Sequence, residues 1–285
     1  MNEMRHRSVQ CLSPAGLHDM AYVEWGDPAN PRVLVCVHGL TRCGRDFDFL
    51  AQVMAGEYRV VCPDVVGRGR SGWLKDKSHY AVPQYCADMV TLLARLDAQA
   101  VHWVGTSMGG LIGMALAAQE NSPISRLVLN DVGPVLEAAS IQRIGEFLGR
   151  APRFPSIEQA EVFVRFVSAP FGQLTDAEWR HLTIHTLRKL PEGGYEMAYD
   201  PGIAEPFRAA MGDGKDVELW PIYDAIRCPT LLLRGAWSDL LTKETARQMA
   251  ERGPRPQVVE IPGVGHAPML MSADQIGVVR NFLLG

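Results

Sequence analysis

The sequence has no continuous apolar run approaching the ~18 residues that a membrane-crossing helix requires. Its opening residues, MNEMRHRSVQ, have no apolar stretch behind their basic side chains, so an export signal is not expected. The expectation is a soluble, cytoplasmic protein that engages no membrane. Cysteine is sparse and scattered: Cys11, Cys36, Cys43, Cys62, Cys86 and Cys228, with no CxxC pair and no short spacing to histidine. Such a pattern excludes a zinc framework or a disulfide scaffold and leaves buried thiols in a reducing compartment. Neither a metal nor another cofactor is expected. An excess of one charge is also missing, since 28 basic residues face 32 acidic ones, a formal net charge of -4. So mild a balance excludes the electrostatic footprint of a nucleic-acid partner. No internal repeat or low-complexity segment is found.

What is there is enough apolar material, 47% of 285 residues, for one sizeable core. Short runs rich in Val and Leu predict strands at Val33–Val37, Arg59–Cys62, Val101–Val104, Arg126–Asn130, Thr230–Leu233 and Gln257–Ile261. Their near-continuous apolar character is that of parallel strands covered on both faces. Met20–Trp25 is expected to add an antiparallel edge strand. Helical periodicity lies between the runs: from Pro83 through Leu96, from Gly109 through Ala118, and from Ser272 through Leu283. The alternation predicts an α/β protein with an open, mostly parallel sheet and helices on both faces.

The rhythm breaks between about Gly133 and Lys215, where no strand is expected and three amphipathic helices are. They run through Ile141–Leu148, from Ser156 through Val167, and from Thr175 through Leu190, the last two opened by capping-box spacings. The expected organisation is a core of residues 1–133 and 216–285, interrupted by a helical lid of residues 134–215.

Chemistry concentrates at Gly105-Thr106-Ser107-Met108-Gly109, which follows a strand and leads directly into a helix. A sharp strand-to-helix turn needs small flanking residues, and it presents the serine oxygen above the sheet at a helix N-terminus. A serine nucleophile needs a base, and the base an orienting carboxylate. His266, in Gly265-His266-Ala267-Pro268, lies on the loop after the last strand. For the acid, Asp239 is expected, because its strand lies nearer the His266 loop; Asp131, just past the strand Arg126–Asn130, is the rival. The order Ser107, Asp239, His266 suits this kind of fold. Gly67, Gly69 and Gly72 satisfy GxGxxG, but no helix opens there, which excludes a dinucleotide fingerprint.

Taken together, His38-Gly39, Asp64-Val65-Val66-Gly67-Arg68-Gly69-Arg70-Ser71, Gly105 to Gly110, Asp239 and Gly265-His266 resemble the α/β-hydrolase superfamily over nearly the whole chain except the lid. That resemblance implies an eight-stranded, mostly parallel sheet with the lid inserted after the sixth strand. It also implies an oxyanion hole built from the backbone N–H groups of Leu40 and Met108, with His38 shaping the loop. The implied function is a serine hydrolase cleaving a small carboxylic ester or lactone through an acyl-enzyme. Carbon–carbon bond hydrolysis and cofactor-free haloperoxidase or perhydrolase chemistry use the same triad, and some relatives are non-enzymatic ligand receptors. The expected partner is the small-molecule substrate, with association into a homo-oligomer left open. Arg42 either grips a substrate carboxylate or is a solvated loop arginine, the plainer reading.

Overall fold

Alternation along β3, Val33–Val37, organises the packing. Val33, Val35 and Val37 face one apolar cluster while Leu34 and Cys36 face the other, as the two-residue period of a strand dictates. In the computed structural model, which describes residues 3–210 and 214–285, eight strands form one sheet. They are β1 (Arg5–Ser13), β2 (Gly16–Trp25), β3, β4 (Arg59–Pro63), β5 (Val101–Thr106), β6 (Ile124–Asn130) and the strands Thr230–Gly235 and Gln257–Ile261. The spatial order is β1-β2-β4-β3-β5-β6, then Thr230–Gly235, then Gln257–Ile261. The pairs β1–β2 and β2–β4 are antiparallel, and every other pair in the sheet is parallel.

Helices α1 (Asp48–Met54), α2 (Val82–Leu96) and α3 (Met108–Ala117) cover the sheet from both sides. Met89 and Leu92 of α2 and Ile112 and Met114 of α3 join the cluster around Val35, Trp103 and Leu129. Leu50 and Met54 of α1 join the opposite cluster with Ile276, Val279 and Leu283 of the last helix, Ala273–Leu284. All six cysteines are free, and four of them are buried. Among the described residues no helix is long and apolar enough to cross a membrane.

The expected edge strand is not the edge. Met20–Trp25 belongs to β2, which is flanked by β4 on one side and β1 on the other. β1 has a mostly exposed face and the polar sequence RHRSVQCLS, so it lacks the apolar signal of an interior strand.

After β6 the chain leaves the sheet. Val135–Leu136 pairs antiparallel with Val217–Glu218, which ties the two ends of the excursion together. Between them lie the helices α4 (Ala138–Phe147), α5 (Ile157–Val167) and α6 (Asp176–Thr186). The Ser156 hydroxyl accepts from the Gln159 N–H, and Thr175 and Glu178 form a reciprocal capping box. The absence of strands expected here is corrected. Arg153–Phe154, Tyr195–Met197 and Leu187–Lys189 form a small antiparallel sheet, and α6 stops at Thr186. Gly193 and Gly194 both have positive φ and turn the hairpin back on Leu187–Lys189, a turn that only glycine enters freely.

Candidate active site

The turn between β5 and α3 is as tight as the sequence implied. Ser107 sits at φ 52°, ψ −116°, a backbone conformation that non-glycine residues rarely adopt. A Cβ at Gly105 would overlap the Gly109 carbonyl, and one at Gly109 would overlap the Val37 carbonyl. Both glycines are therefore required by close backbone approach, and the approach lifts Ser107 to the C-terminal edge of the sheet.

His266 meets that serine from the loop after Gln257–Ile261. Its Nε2 is 3.0 Å from Ser107 Oγ, and its Nδ1 is 2.7 Å from Asp131 Oδ2. A carboxylate can only accept, so Nδ1 carries the proton and Nε2 is the acceptor for the serine hydroxyl. Asp131 is wholly buried, and its carboxylate is fully used. Oδ1 accepts the Gly235 N–H at 2.7 Å, and Oδ2 also accepts the Ser238 hydroxyl at 2.6 Å.

The expectation that Asp239 orients His266 is corrected by this geometry. Asp239 is half exposed and forms an ion pair with Arg143 of α4, and its backbone carbonyl accepts from Ser140 Oγ at 2.6 Å. The reason lies at the ends of two neighbouring strands. The Asp131 N–H donates to Leu233 O at 2.8 Å, and a φ of 56° turns its side chain across to Gly235. Aspartate tolerates that left-handed backbone better than most residues. Ser238, one residue before Asp239, supports the acid instead of supplying it.

Leu40 and Met108 flank Ser107, and all three line one cavity. A Cβ built on Gly39 would lie 3.7 Å from Ser107 Cβ, which places the Gly39–Leu40 turn against Ser107. Among the described residues neither backbone N–H of the pair donates to a protein acceptor. His38 is fully buried; its Nδ1 donates to Gly39 O at 2.6 Å and its Nε2 accepts the Val65 N–H at 2.9 Å. Burial lowers its pKa to about 4, so it holds the loop as a neutral ring.

Sequence reasoning missed Arg68. This fully buried side chain donates from Nε to Leu40 O at 2.8 Å and from Nη1 to Val66 O and Tyr85 Oη, while Nη2 lies 3.6 Å from Met108 Sδ. Its guanidinium also packs over the Tyr85 and Tyr80 rings. One residue thus braces both sides of the position above Ser107. Its signal was an arginine inside the glycine-rich Asp64–Ser71 loop. Arg42 is not a solvated loop arginine: it pairs bidentately with Asp46, Nε to Oδ2 at 2.8 Å and Nη2 to Oδ1 at 2.6 Å.

The cavity over Ser107 and His266 measures about 1770 Å³ and is mainly apolar. Its far wall comes from the excursion after β6, including Ile144, Phe147, Phe163, Val164 and Phe171. Two groups of potential metal donors lie outside the Ser107 site, Cys11–His18–Asp88 and Asp48–His181–His185. Several of these donors already have protein partners: His18 Nε2 bonds Asp88 Oδ2 at 3.0 Å, and Asp48 binds Arg45.

A buried carboxylate, a histidine and a serine on a strand–helix elbow, at the C-terminal edge of a parallel sheet, define a class. Residues 34–277 match the alpha/beta hydrolase family. The chain belongs to that family and is a hydrolase. Among similar proteins is the 3-hydroxybutyrate-oligomer hydrolase of Cupriavidus necator, 52% identical over 283 residues that cover 97% of each chain. Esterase Rv0045c of Mycobacterium tuberculosis is 29% identical over 236 residues, 81% of this chain and 74% of its own. The crystal structure of an alpha/beta hydrolase from Novosphingobium aromaticivorans superposes with a TM-score of 0.88 at 36% identity, covering 100% of this chain and 99% of that one.

Proposed function

We propose that this chain hydrolyses the ester bonds of short 3-hydroxyacyl oligomers, with 3-hydroxybutyrate oligomers as the first candidates. The observation that carries the reading is His266, placed 3.0 Å from Ser107 Oγ and 2.7 Å from Asp131 Oδ2 at the floor of a large apolar cavity. The cavity exceeds the ~300–1,000 Å³ of ordinary small-ligand sites, which suits an extended linear ester better than a compact lactone. The kinship with the Cupriavidus necator enzyme supports the same substrate class.

In this reading the catalytic residues are Ser107, His266 and Asp131. His266 Nε2 takes the Ser107 proton as Oγ attacks the ester carbonyl, and the backbone N–H groups of Leu40 and Met108 hold the resulting oxyanion. Asp131 keeps the proton on Nδ1 and stabilises the imidazolium. Collapse breaks the C–O bond, and His266 returns its proton to the leaving alkoxide, freeing an alcohol. Water, deprotonated by the same nitrogen, attacks the acyl-enzyme and releases the acid with Ser107 restored. The segment of residues 134–215 acts as the lid over this chemistry, its helices supplying the apolar wall that excludes bulk water.

Turnover of a 3-hydroxybutyrate trimer to monomer and dimer, followed by chromatography and lost in Ser107→Ala, is the expected result. An intact trimer after prolonged incubation with excess unlabelled enzyme, shown active by fluorophosphonate labelling of a separate sample, would overturn the substrate class.

A further inference from the structure

Among the described residues, the carboxylates on the cavity wall are Asp46 and Asp239, and the permanent cations are Arg42, Arg143 and Arg150. Arg42 is locked to Asp46 in a pair with little exposure, and so is spoken for. Among the described residues Arg143 pairs with Asp239 alone, and the two side chains are 47% and 53% exposed. Ion pairs this exposed are weak because water screens them, so a competing carboxylate can displace Asp239 at little cost. Arg150 lies over the Phe147 ring, and no carboxylate pairs with it among the described residues. Among the described residues the wall therefore carries one arginine in excess of its carboxylates, in mainly apolar surroundings.

We propose that Arg143 is the anchor for the free carboxylate end of the substrate, and that Asp239 occupies that place until the substrate arrives. This rests on the oligoester reading above, because each linear hydroxyacyl oligomer carries one carboxylate, ionised at neutral pH. The anchor would match a monoanion in sign and number, with Arg150 supplying the excess field. An arginine fork suits a carboxylate bidentately. Asp239 is also chained to the catalytic acid through its neighbour Ser238, whose hydroxyl donates to Asp131 at 2.6 Å. Exchange of partners at Arg143 thus takes place on the same loop that supports the His266–Asp131 pair.

The experiment compares kcat/KM for the free-acid 3-hydroxybutyrate trimer with that for its methyl ester. Arg143→Gln is expected to lower the acid-to-ester ratio about tenfold, through KM and not kcat. Asp239→Asn, which frees the arginine, is expected to raise the ratio, and Arg150→Gln to lower it by less than Arg143→Gln does. A ratio unchanged in both Arg143→Gln and Asp239→Asn overturns the proposal, as does an equal loss on both trimers. Calorimetric binding of the two trimers to Ser107→Ala protein reads the same preference without turnover. If wild type cleaves neither trimer the oligoester reading fails, whereas cleavage without acid preference removes the anchor alone.

Discussion

Asp131 Oδ2 and His266 Nδ1 stand 2.7 Å apart although 135 residues separate them in the chain. The contact is made because two adjacent parallel strands deliver Asp131 and Gly235 to the same edge, and the Gly235 N–H fixes the carboxylate. Asp131→Asn is therefore expected to reduce kcat by about 10⁴, the scale of losing the correct tautomer. Asp239→Asn is expected to lose at least a hundredfold less. Steady-state kinetics on a neutral aryl ester decide the matter, and a larger loss in Asp239→Asn would transfer the role back.

Ser107→Ala removes the proposed nucleophile and leaves the elbow backbone in place. Turnover should fall at least ~10³-fold. Covalent labelling by a fluorophosphonate should disappear in the same variant while circular dichroism stays that of wild type. Ester cleavage near the wild-type rate would mean that another residue attacks.

Arg68 offers a subtler test, since its Nε–H supports the Leu40 carbonyl and its guanidinium lies against Met108 Sδ. Arg68→Lys keeps a charge but loses the fork and the stacking on Tyr85. We expect kcat to fall about tenfold or more with KM little changed, on the scale of one weakened oxyanion donor. Equal effects on KM and kcat, or a loss explained wholly by unfolding, would make Arg68 a packing residue only.

His38 sets a pH window. Its folded pKa, lowered to about 4 by burial, lies below the 6.5 of a free imidazole, so the unfolded chain binds the extra proton first. The stability it contributes is complete above pH 6.5 and is lost as pH falls toward 4. The 2.5-unit difference corresponds to on the order of 3 kcal/mol. Urea melts at pH 7 and pH 4.5 should show a smaller acid loss in His38→Gln than in wild type. An identical loss in both would place the acid sensitivity on other groups.

How far the sequence carried these conclusions depends on whether each signal was local. Buried strands such as Val33–Val37 announce themselves because both faces are covered and every residue is apolar. The elbow is equally local, its two glycines dictated by backbone carbonyls a few ångströms away. β1 was illegible because an exposed edge needs no apolar side chains. Choosing between Asp131 and Asp239 required the register of β6 against Thr230–Gly235 and a left-handed φ at Asp131, and neither is written in either residue's neighbourhood. Arg68 was hidden for a related reason: a buried arginine is satisfied here by carbonyls and a tyrosine from separate elements, and among the described residues no carboxylate pairs with it.

The short pairing of Val135–Leu136 with Val217–Glu218 has a consequence for how such a chain can diversify. Because the excursion departs and returns through one clasp, its length and sequence can be rewritten without altering which strand lies beside which. The residues around Ser107 and the shape of the chamber above them can thereby vary separately. A single β-sheet engine can be refitted for new esters by exchanging what hangs from two hydrogen-bonded residues on each side.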